Sequence, residues 1–221
     1  MDAQITIPDI YSKLNIKEKR VSLSQKEAEL LYTILKQTEV KSTLEIGFAY
    51  GCSAAYIISA TDSIHYAIDP MQEEHYENSG IKNLQKLQLD HHLRFRQEYS
   101  HTALPELLKQ GLTFDFAFID GDHRFDGIMI DFYYVDLLLN FGGYVLFDDV
   151  YMRSTQTVIA WIDANRLDYK RIDLPEGLDY RNLALYQKVE ERDNRPWNHY
   201  KEFCDKNSSL VETIFKDYPV E

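Results

Sequence analysis

Cysteine is scarce in this 221-residue chain, which carries only Cys52 and Cys204. Two thiols make neither a disulfide framework nor a zinc-binding spacing, and they fit a reducing compartment. Basic residues are also in deficit, with 24 Lys and Arg against 36 Asp and Glu, for a net charge of −12. That balance argues against a general nucleic-acid binder, because neutralising phosphates needs a basic surface. No apolar run approaches the roughly 20 residues of a membrane span, and Met1-Asp2-Ala3-Gln4-Ile5-Thr6 lacks a basic-then-apolar leader. A soluble cytoplasmic protein with no membrane partner is expected. Repeats, low-complexity tracts and linkers are missing as well. Residues 1–221 therefore read as one domain, with an arm at 1–23, a core at 24–189 and a C-terminal extension at 190–221 expected to be helical. A hydrophobic content of 44% suffices for a full core at this length.

The stretch that organises the rest is Thr43-Leu44-Glu45-Ile46-Gly47-Phe48-Ala49-Tyr50-Gly51-Cys52-Ser53. It reads as a short apolar strand with an acid near its end, a turn with two glycines, and the start of a helix. Gly47 lets the chain turn, and Gly51 is expected to let the backbone approach a ligand closely. A helix beginning near Cys52 or Ser53 aims unpaired N–H groups at that ligand. Glu45 adds a fixed negative charge, which suits a nucleoside-bearing ligand with a positively charged tail. The plainer alternative is a tight strand-to-helix turn of any α/β protein.

Along the chain, strands and helices alternate. Ser24 followed by Glu27 is a capping-box signal, and Leu30, Leu31, Ile34 and Leu35 give 24–38 a helical period. Residues 63–69, 93–98, 114–120 and 144–149 read as strands, and the segment from Gln72 to Leu89 as mostly helix with a solvated charged face. Asp126–Asn140 reads as a helix that Gly142-Gly143 breaks, with Ile130, Val135, Leu137, Leu138 and Leu139 available for burial. A further helix follows Ser154. Tyr169–Leu174 and Leu183–Val189 read as two strands around a Pro-Glu-Gly turn, and Phe203, Leu210, Ile214 and Phe215 as the apolar side of a terminal helix.

Such alternation predicts an α/β doubly wound, mostly parallel sheet with helices on both faces. Ligands in these sheets sit beyond the carboxyl ends of the strands. Four strand ends carry acids: Glu45, Asp69, Asp120 and the pair Asp148-Asp149. Asp69 stands where a ribose-binding carboxylate belongs, on the order of 20 residues past the glycine turn; the alternative is a turn or capping acid. Asp120, Asp148 and Asp149 repel one another unless a hard cation sits between them, magnesium, calcium or manganese by their oxygen ligands. Capping of the following helices is the alternative. His123, in Asp120-Gly121-Asp122-His123, has the chemistry of a general base near neutral pH, or of an ordinary loop histidine.

Together the motifs Leu44–Ser53, Ala67-Ile68-Asp69, Phe118–His123 and Gly142–Asp149 resemble class I S-adenosylmethionine-dependent methyltransferases. The likeness spans roughly residues 24–189 and is nearest the branch of catechol and caffeoyl-coenzyme A O-methyltransferases and bacterial sugar or macrolide O-methyltransferases. It implies a seven-stranded Rossmann-like sheet and S-adenosylmethionine as cofactor. Glu45, Gly47, Tyr50, Gly51 and Ser53 would lie along its methionine portion, Asp69 at the ribose and Ser100 at the adenine. Asp120, Asp148 and Asp149 match metal ligands, for a divalent cation expected to be Mg2+. Asp149 departs from the usual asparagine, and His123 stands where the catechol-type enzymes carry a lysine base. The implied reaction is metal-assisted O-methylation of a small-molecule hydroxyl, with Asp120 and His123 in catalytic positions. A homo-oligomer built on the N-terminal arm or the C-terminal helix is compatible with it.

Four other readings remain open at this point: a metal-independent methyltransferase, a non-catalytic S-adenosylmethionine-binding protein, an NAD-dependent oxidoreductase and a metal phosphoesterase. The third is weakened by a loop of the form Gly-x-x-x-Gly, which lacks the full pyrophosphate fingerprint. The fourth leaves the Glu45–Gly51 turn without a task.

Overall fold

The computed structural model describes residues 5–174 and 182–203. Seven strands form one sheet: β1 (Ser42–Ile46), β2 (Ile64–Ile68), β3 (Leu93–Arg96), β4 (Phe114–Ile119), β5 (Leu139–Phe147), β6 (Tyr169–Ile172) and β7 (Ala184–Lys188). Their order is β3-β2-β1-β4-β5-β7-β6. The first five are parallel neighbours, and β7 runs antiparallel between β5 and β6. The strand order reverses between β1 and β4, and that gap is where a crevice opens in a doubly wound sheet.

Six α-helices cover the sheet: α1 (Gln25–Lys36), α2 (Cys52–Thr61), α3 (Ser79–Lys86), α4 (Ser100–Lys109), α5 (Phe125–Leu138) and α6 (Arg153–Asn165). Residues of α1, α2 and α3, such as Leu31, Ile57 and Leu84, share one core with Phe116 and Phe118 of β4. Residues of α4, α5 and α6, such as Leu104, Phe132 and Val158, share the other with Ala117 and Ile119. Alternate residues of β4 thus point into opposite cores, as a strand buried on both faces must. No helix among the described residues is long and apolar enough to cross a membrane.

The capping box forms as the sequence predicts: Ser24 Oγ accepts from the Glu27 N–H while Glu27 accepts from the Ser24 N–H. The expected helix from Gln72 to Leu89 is shorter, because Glu77 and Asn78 adopt left-handed φ of 52° and 58° and only α3 remains. Gln72 is buried, while the charged residues Glu73, Glu74 and Glu77 are exposed. The break at Gly142-Gly143 is also displaced. Helix α5 stops at Leu138, and β5 already begins at Leu139 and runs through both glycines. Of the residues expected to bury there, Ile130 and Leu137 are 41% and 46% exposed.

The arm before α1 is tied down. Asn15 and Asn83 exchange two hydrogen bonds, Lys86 Nζ donates to the Lys13 carbonyl, and Lys17 pairs with Glu77 at 2.8 Å. The Pro-Glu-Gly turn at 175–177 and the apolar residues Leu210, Ile214 and Phe215 lie outside the described residues.

Candidate active site

Four backbone hydrogen bonds align the strand ends. Asp69 N–H donates to Arg96 O, Gly47 N–H to Ile68 O, Asp120 N–H to Ile46 O and Asp148 N–H to Ile119 O, at 2.8–3.1 Å. Each is the residue after its strand, so the ladder itself sets Asp69, Gly47, Asp120 and Asp148 side by side along one edge. Gly47 has φ +91°, and a Cβ there would lie 1.9 Å from the Asp120 carbonyl oxygen. Its lack of a side chain serves the close approach of the β1 and β4 ends.

A cavity of about 670 Å³ opens over this edge, within the range of small-molecule sites. Gly47, Ser53, Asp69 and Ser100 line one part of it, and Asp120, His123, Asp148 and Asp149 another. Arg20, Val21, Ser22 and Leu23 bring the N-terminal arm across it, and Tyr99 and Tyr151 stand at its wall.

Asp69 is a heavily used acceptor. Its Oδ2 takes the N–H groups of Phe48 and Ala49 at 3.1 and 2.8 Å, and its Oδ1 takes that of Met71 at 2.7 Å. Gln72 Nε2 bridges the Ala49 carbonyl and Asp69 Oδ2. The carboxylate therefore shapes the glycine turn, and Oδ1 keeps capacity for a further donor.

Three residues expected at the ligand stand behind the wall instead. Glu45 and His65 are both fully buried, paired at 3.2 Å, with His65 Nδ1 2.9 Å from Thr43 Oγ1. Glu45 Oε1 has no partner among the described residues. Tyr50 is buried against Tyr76, with ring centroids 5.3 Å apart. Gly51, at φ +68°, packs on Gly80, whose carbonyl oxygen would be 3.0 Å from an added Cβ; the close approach it permits is to α3. Strand alternation accounts for Glu45, since Leu44 and Ile46 face the other core. The first turn of α2 still faces the cavity through Cys52 and Ser53.

The acidic part of the rim is tightly drawn. One donor atom each from Asp120, His123 and Asp149 lie within 4.8 Å of one another. His123 Nδ1 is 3.0 Å from Asp149 Oδ2, and Asp149 holds φ +53°. Asp148 stands slightly apart: its Oδ1 accepts from the Asp149 N–H at 2.7 Å and from Asn182 Nδ2 at 3.0 Å. Asn182 is a partner that nothing in the sequence singled out.

Burial, and then the charges of Asp148, Asp149 and Glu45, push the Asp120 carboxyl well above the ordinary range. Burial likewise raises Asp148 to about 8, opposed by the Asp149 N–H. Among the described residues no lysine or arginine forms an ion pair with Asp120, Asp148 or Asp149. Clustered carboxylates with no basic side chain paired to them, beside an imidazole, make a donor set of hard oxygen and borderline nitrogen that fits a divalent ion.

Comparison with known proteins bears on this site. Residues 44–150 match a family model described as a methyltransferase domain. Caffeoyl-CoA O-methyltransferase 2 of Populus trichocarpa is 28% identical over 170 residues, 75% of this chain and 64% of that protein. Tricin synthase 1 of Oryza sativa subsp. japonica is 32% identical over 144 residues, 60% and 54% of the two chains. The chain thus spans less than two thirds of the length of these relatives. Among solved structures, the O-methyltransferase TomG from Streptomyces achromogenes, in complex with SAM, superposes with a TM-score of 0.67 at 18% identity, covering 85% of this chain and 92% of that one. An O-methyltransferase from Bacillus cereus in complex with SAH gives 0.65 at 13% identity, covering 85% and 94%. The family match lies on this sheet, and the chain shares the fold of the superposed O-methyltransferase structures.

Proposed function

We propose that the protein is an S-adenosylmethionine-dependent O-methyltransferase that acts on a hydroxyl of a small molecule and is assisted by a divalent cation, Mg2+ by the oxygen-rich donor set. The observation that carries the proposal is the single rim on which Gly47, Asp69, Asp120 and Asp148 stand in order, below one cavity. Relatives from Populus trichocarpa and Medicago sativa, both named caffeoyl-CoA O-methyltransferases, support the same chemistry.

Gly47, Ser53 and the N-terminal turn of α2 hold the methionine portion, with Glu45 adding negative charge from behind the turn. Asp69 shapes that turn and offers Oδ1 to a ribose hydroxyl. Ser100 faces the purine. When bound, S-adenosylmethionine supplies an electrophilic methyl group, and a divalent cation supplies positive charge that lowers the pKa of a nearby hydroxyl. Asp120 and Asp149 are the first candidates to hold that cation, with Asp148 beside them. His123 accepts the acceptor's proton at Nε2, its Nδ1 being taken by Asp149. The remainder of catalysis is alignment of the acceptor oxygen, to which Tyr99, Tyr151 and the arm residue Arg20 contribute from the cavity wall.

A second role for His123 has its own observation. Its ring nitrogen lies within 4.8 Å of the Asp120 and Asp149 oxygens, so it is also placed as a ligand. Cation affinity of His123→Ala separates the two: a base leaves it unchanged, a ligand lowers it.

The function is tested by following labelled methyl transfer from S-adenosylmethionine over a panel of phenols, sugars and hydroxylated natural products, with and without chelator. Transfer to oxygen that falls on chelation supports the proposal. Cofactor binding with no transfer to any acceptor class favours a sensor, and chelator-insensitive transfer removes the cation from the mechanism.

A further inference from the structure

One amide touches two of the acids that line the cavity and has no part in the proposed chemistry. Asn182 Nδ2 lies 3.0 Å from Asp148 Oδ1 and 3.3 Å from Glu27 Oε1. A carboxamide nitrogen carries two hydrogens, so it can give one to each acid. The opposite orientation would bring three acceptor oxygens together, so the hydrogen-bond network sets the amide's direction. Asn182 Oδ1 is left with no partner among the described residues, and the side chain is held through its donors alone.

The antiparallel strand puts this residue at the rim. Strand β7 runs against β5, so it begins at the edge where β5 ends. Phe147 pairs with Ala184, and the Val150 N–H donates to the Asn182 carbonyl at 3.1 Å, beside the loop that carries Asp148 and Asp149. Glu27 approaches from the first turn of α1. Its Oε2 is taken by the Ser24 N–H, so the cap that follows the arm fixes its place. On Asp148, Oδ1 is taken twice, by the Asp149 N–H and by Asn182, while Oδ2 makes no hydrogen bond among the described residues. Of the neighbouring charges, that of Asp148 bears most on Asp120.

We propose that Asn182 is a positioning residue of the cation site, which keeps a donor between the Glu27 and Asp148 carboxylates and fixes Asp148 with Oδ2 as the oxygen presented to the acidic rim. Without the amide, two like charges face each other across the space it held, and Asp148 is free to rotate away from the rim. Groups that orient a metal's ligands govern its affinity from outside the ligand set. Glu27 then acts on the rim through Asn182, so the seat of the arm and the seat of the cation share one hydrogen-bonded path. The inference rests on the divalent cation of the proposed function and adds the residue that orients one of its acids.

The test is binding of Mn2+ alone to the full chain, followed by loss of the free-ion signal in electron paramagnetic resonance, beside calorimetric titration with S-adenosylhomocysteine. Asn182→Leu keeps the size of the side chain and removes both donors. It should weaken Mn2+ binding by roughly tenfold or more, with the Kd for S-adenosylhomocysteine changed by less than about twofold. Glu27→Gln keeps an acceptor for the cap but sets an amide against an amide, and should weaken Mn2+ binding as well. In the double variant the two losses should fall short of their sum, because both act through one side chain. Full additivity would leave Glu27 acting by its charge alone and overturns the shared path. An unchanged Mn2+ affinity in a folded Asn182→Leu overturns the proposal, as do equal losses of Mn2+ and nucleoside affinity, the mark of a purely structural role. If Asn182→Leu does not fold, Asn182→Ala is read on the same terms. A wild type that binds no Mn2+ overturns the cation reading and this inference with it. Binding with an affinity that no Asn182 variant moves overturns the inference alone.

Discussion

His123 and Asp149 are joined by Nδ1 and Oδ2 at 3.0 Å, from two loops that follow neighbouring strands. The bond leaves Nε2 as the free nitrogen and engages one oxygen of a carboxylate that also borders Asp120. Base and cation candidates therefore share a residue, so the two functions are coupled at Asp149.

His123→Ala should lower kcat by roughly 100-fold or more, with the Kd for S-adenosylhomocysteine changed by less than about threefold if the imidazole acts on the acceptor alone. Asp149→Ala should lower kcat as well and also weaken the response to divalent cations. Steady-state kinetics beside calorimetry separates the two patterns. Equal losses of nucleoside affinity and turnover in His123→Ala would place the imidazole in cofactor binding.

Removing a charge from the acidic rim should trade activity for stability. Burial and the neighbouring aspartates disfavour the ionised form of Asp120, so Asp120→Asn relieves repulsion and should stabilise the metal-free protein by about 1 kcal/mol at pH 8. The same variant should lose chelator-sensitive turnover and the rise in Tm on adding Mg2+ or Mn2+. Thermal melts with cation and with chelator give both readings. A variant that melts lower than wild type without metal, yet still responds to cations, would contradict the assignment.

Asp69 should matter twice. Asp69→Ala strips acceptors from the N–H groups of Phe48, Ala49 and Met71, which should destabilise the fold by about 2–4 kcal/mol. Affinity for S-adenosylhomocysteine should fall by about tenfold or more, because the turn and the ribose contact go together. Denaturant unfolding and calorimetry measure the two effects. Full affinity in a destabilised variant would leave Asp69 with the turn alone.

Asp131 gives a dependence of stability on pH. Burial raises its carboxyl from 3.8 to about 7. The folded state then binds a proton that the unfolded state has released between about pH 4 and pH 7, so this group's contribution falls as pH rises through that window. Asp131→Asn cannot ionise. It should match wild-type stability at pH 4 and exceed it by about 4 kcal/mol at pH 8. Unfolding curves at the two pH values check the sign, and a wild type that gains stability relative to the variant on going to pH 8 contradicts it.

The strand ends were legible because apolar runs that stop at an acid, such as Phe114–Asp120 and Tyr144–Asp149, carry both the burial and its end in the residues themselves. The capping box of Ser24 and Glu27 is equally local. What could not be read are features set by the sheet or by distant chain. Glu45 is inside a strand, and only the face it occupies decides that it meets His65 and not the ligand. Asn182 reaches Asp148 across 34 residues. The end of α5 was misplaced because Leu137, Leu138 and Leu139 suit a helix or a strand equally, and tertiary pairing with Phe114 decides it. The helix expected from Gln72 fails at Glu77 and Asn78, whose left-handed backbone no apolar period signals.

The claim on which the rest stands is that one cavity, above one row of strand ends, holds a nucleoside methyl donor. Calorimetric titration of the wild-type chain with S-adenosylhomocysteine tests it most directly. A saturable one-to-one isotherm with a Kd on the order of 1–100 μM, weakened in Asp69→Ala, is the predicted result. A flat titration at millimolar ligand with the folded protein would contradict the account.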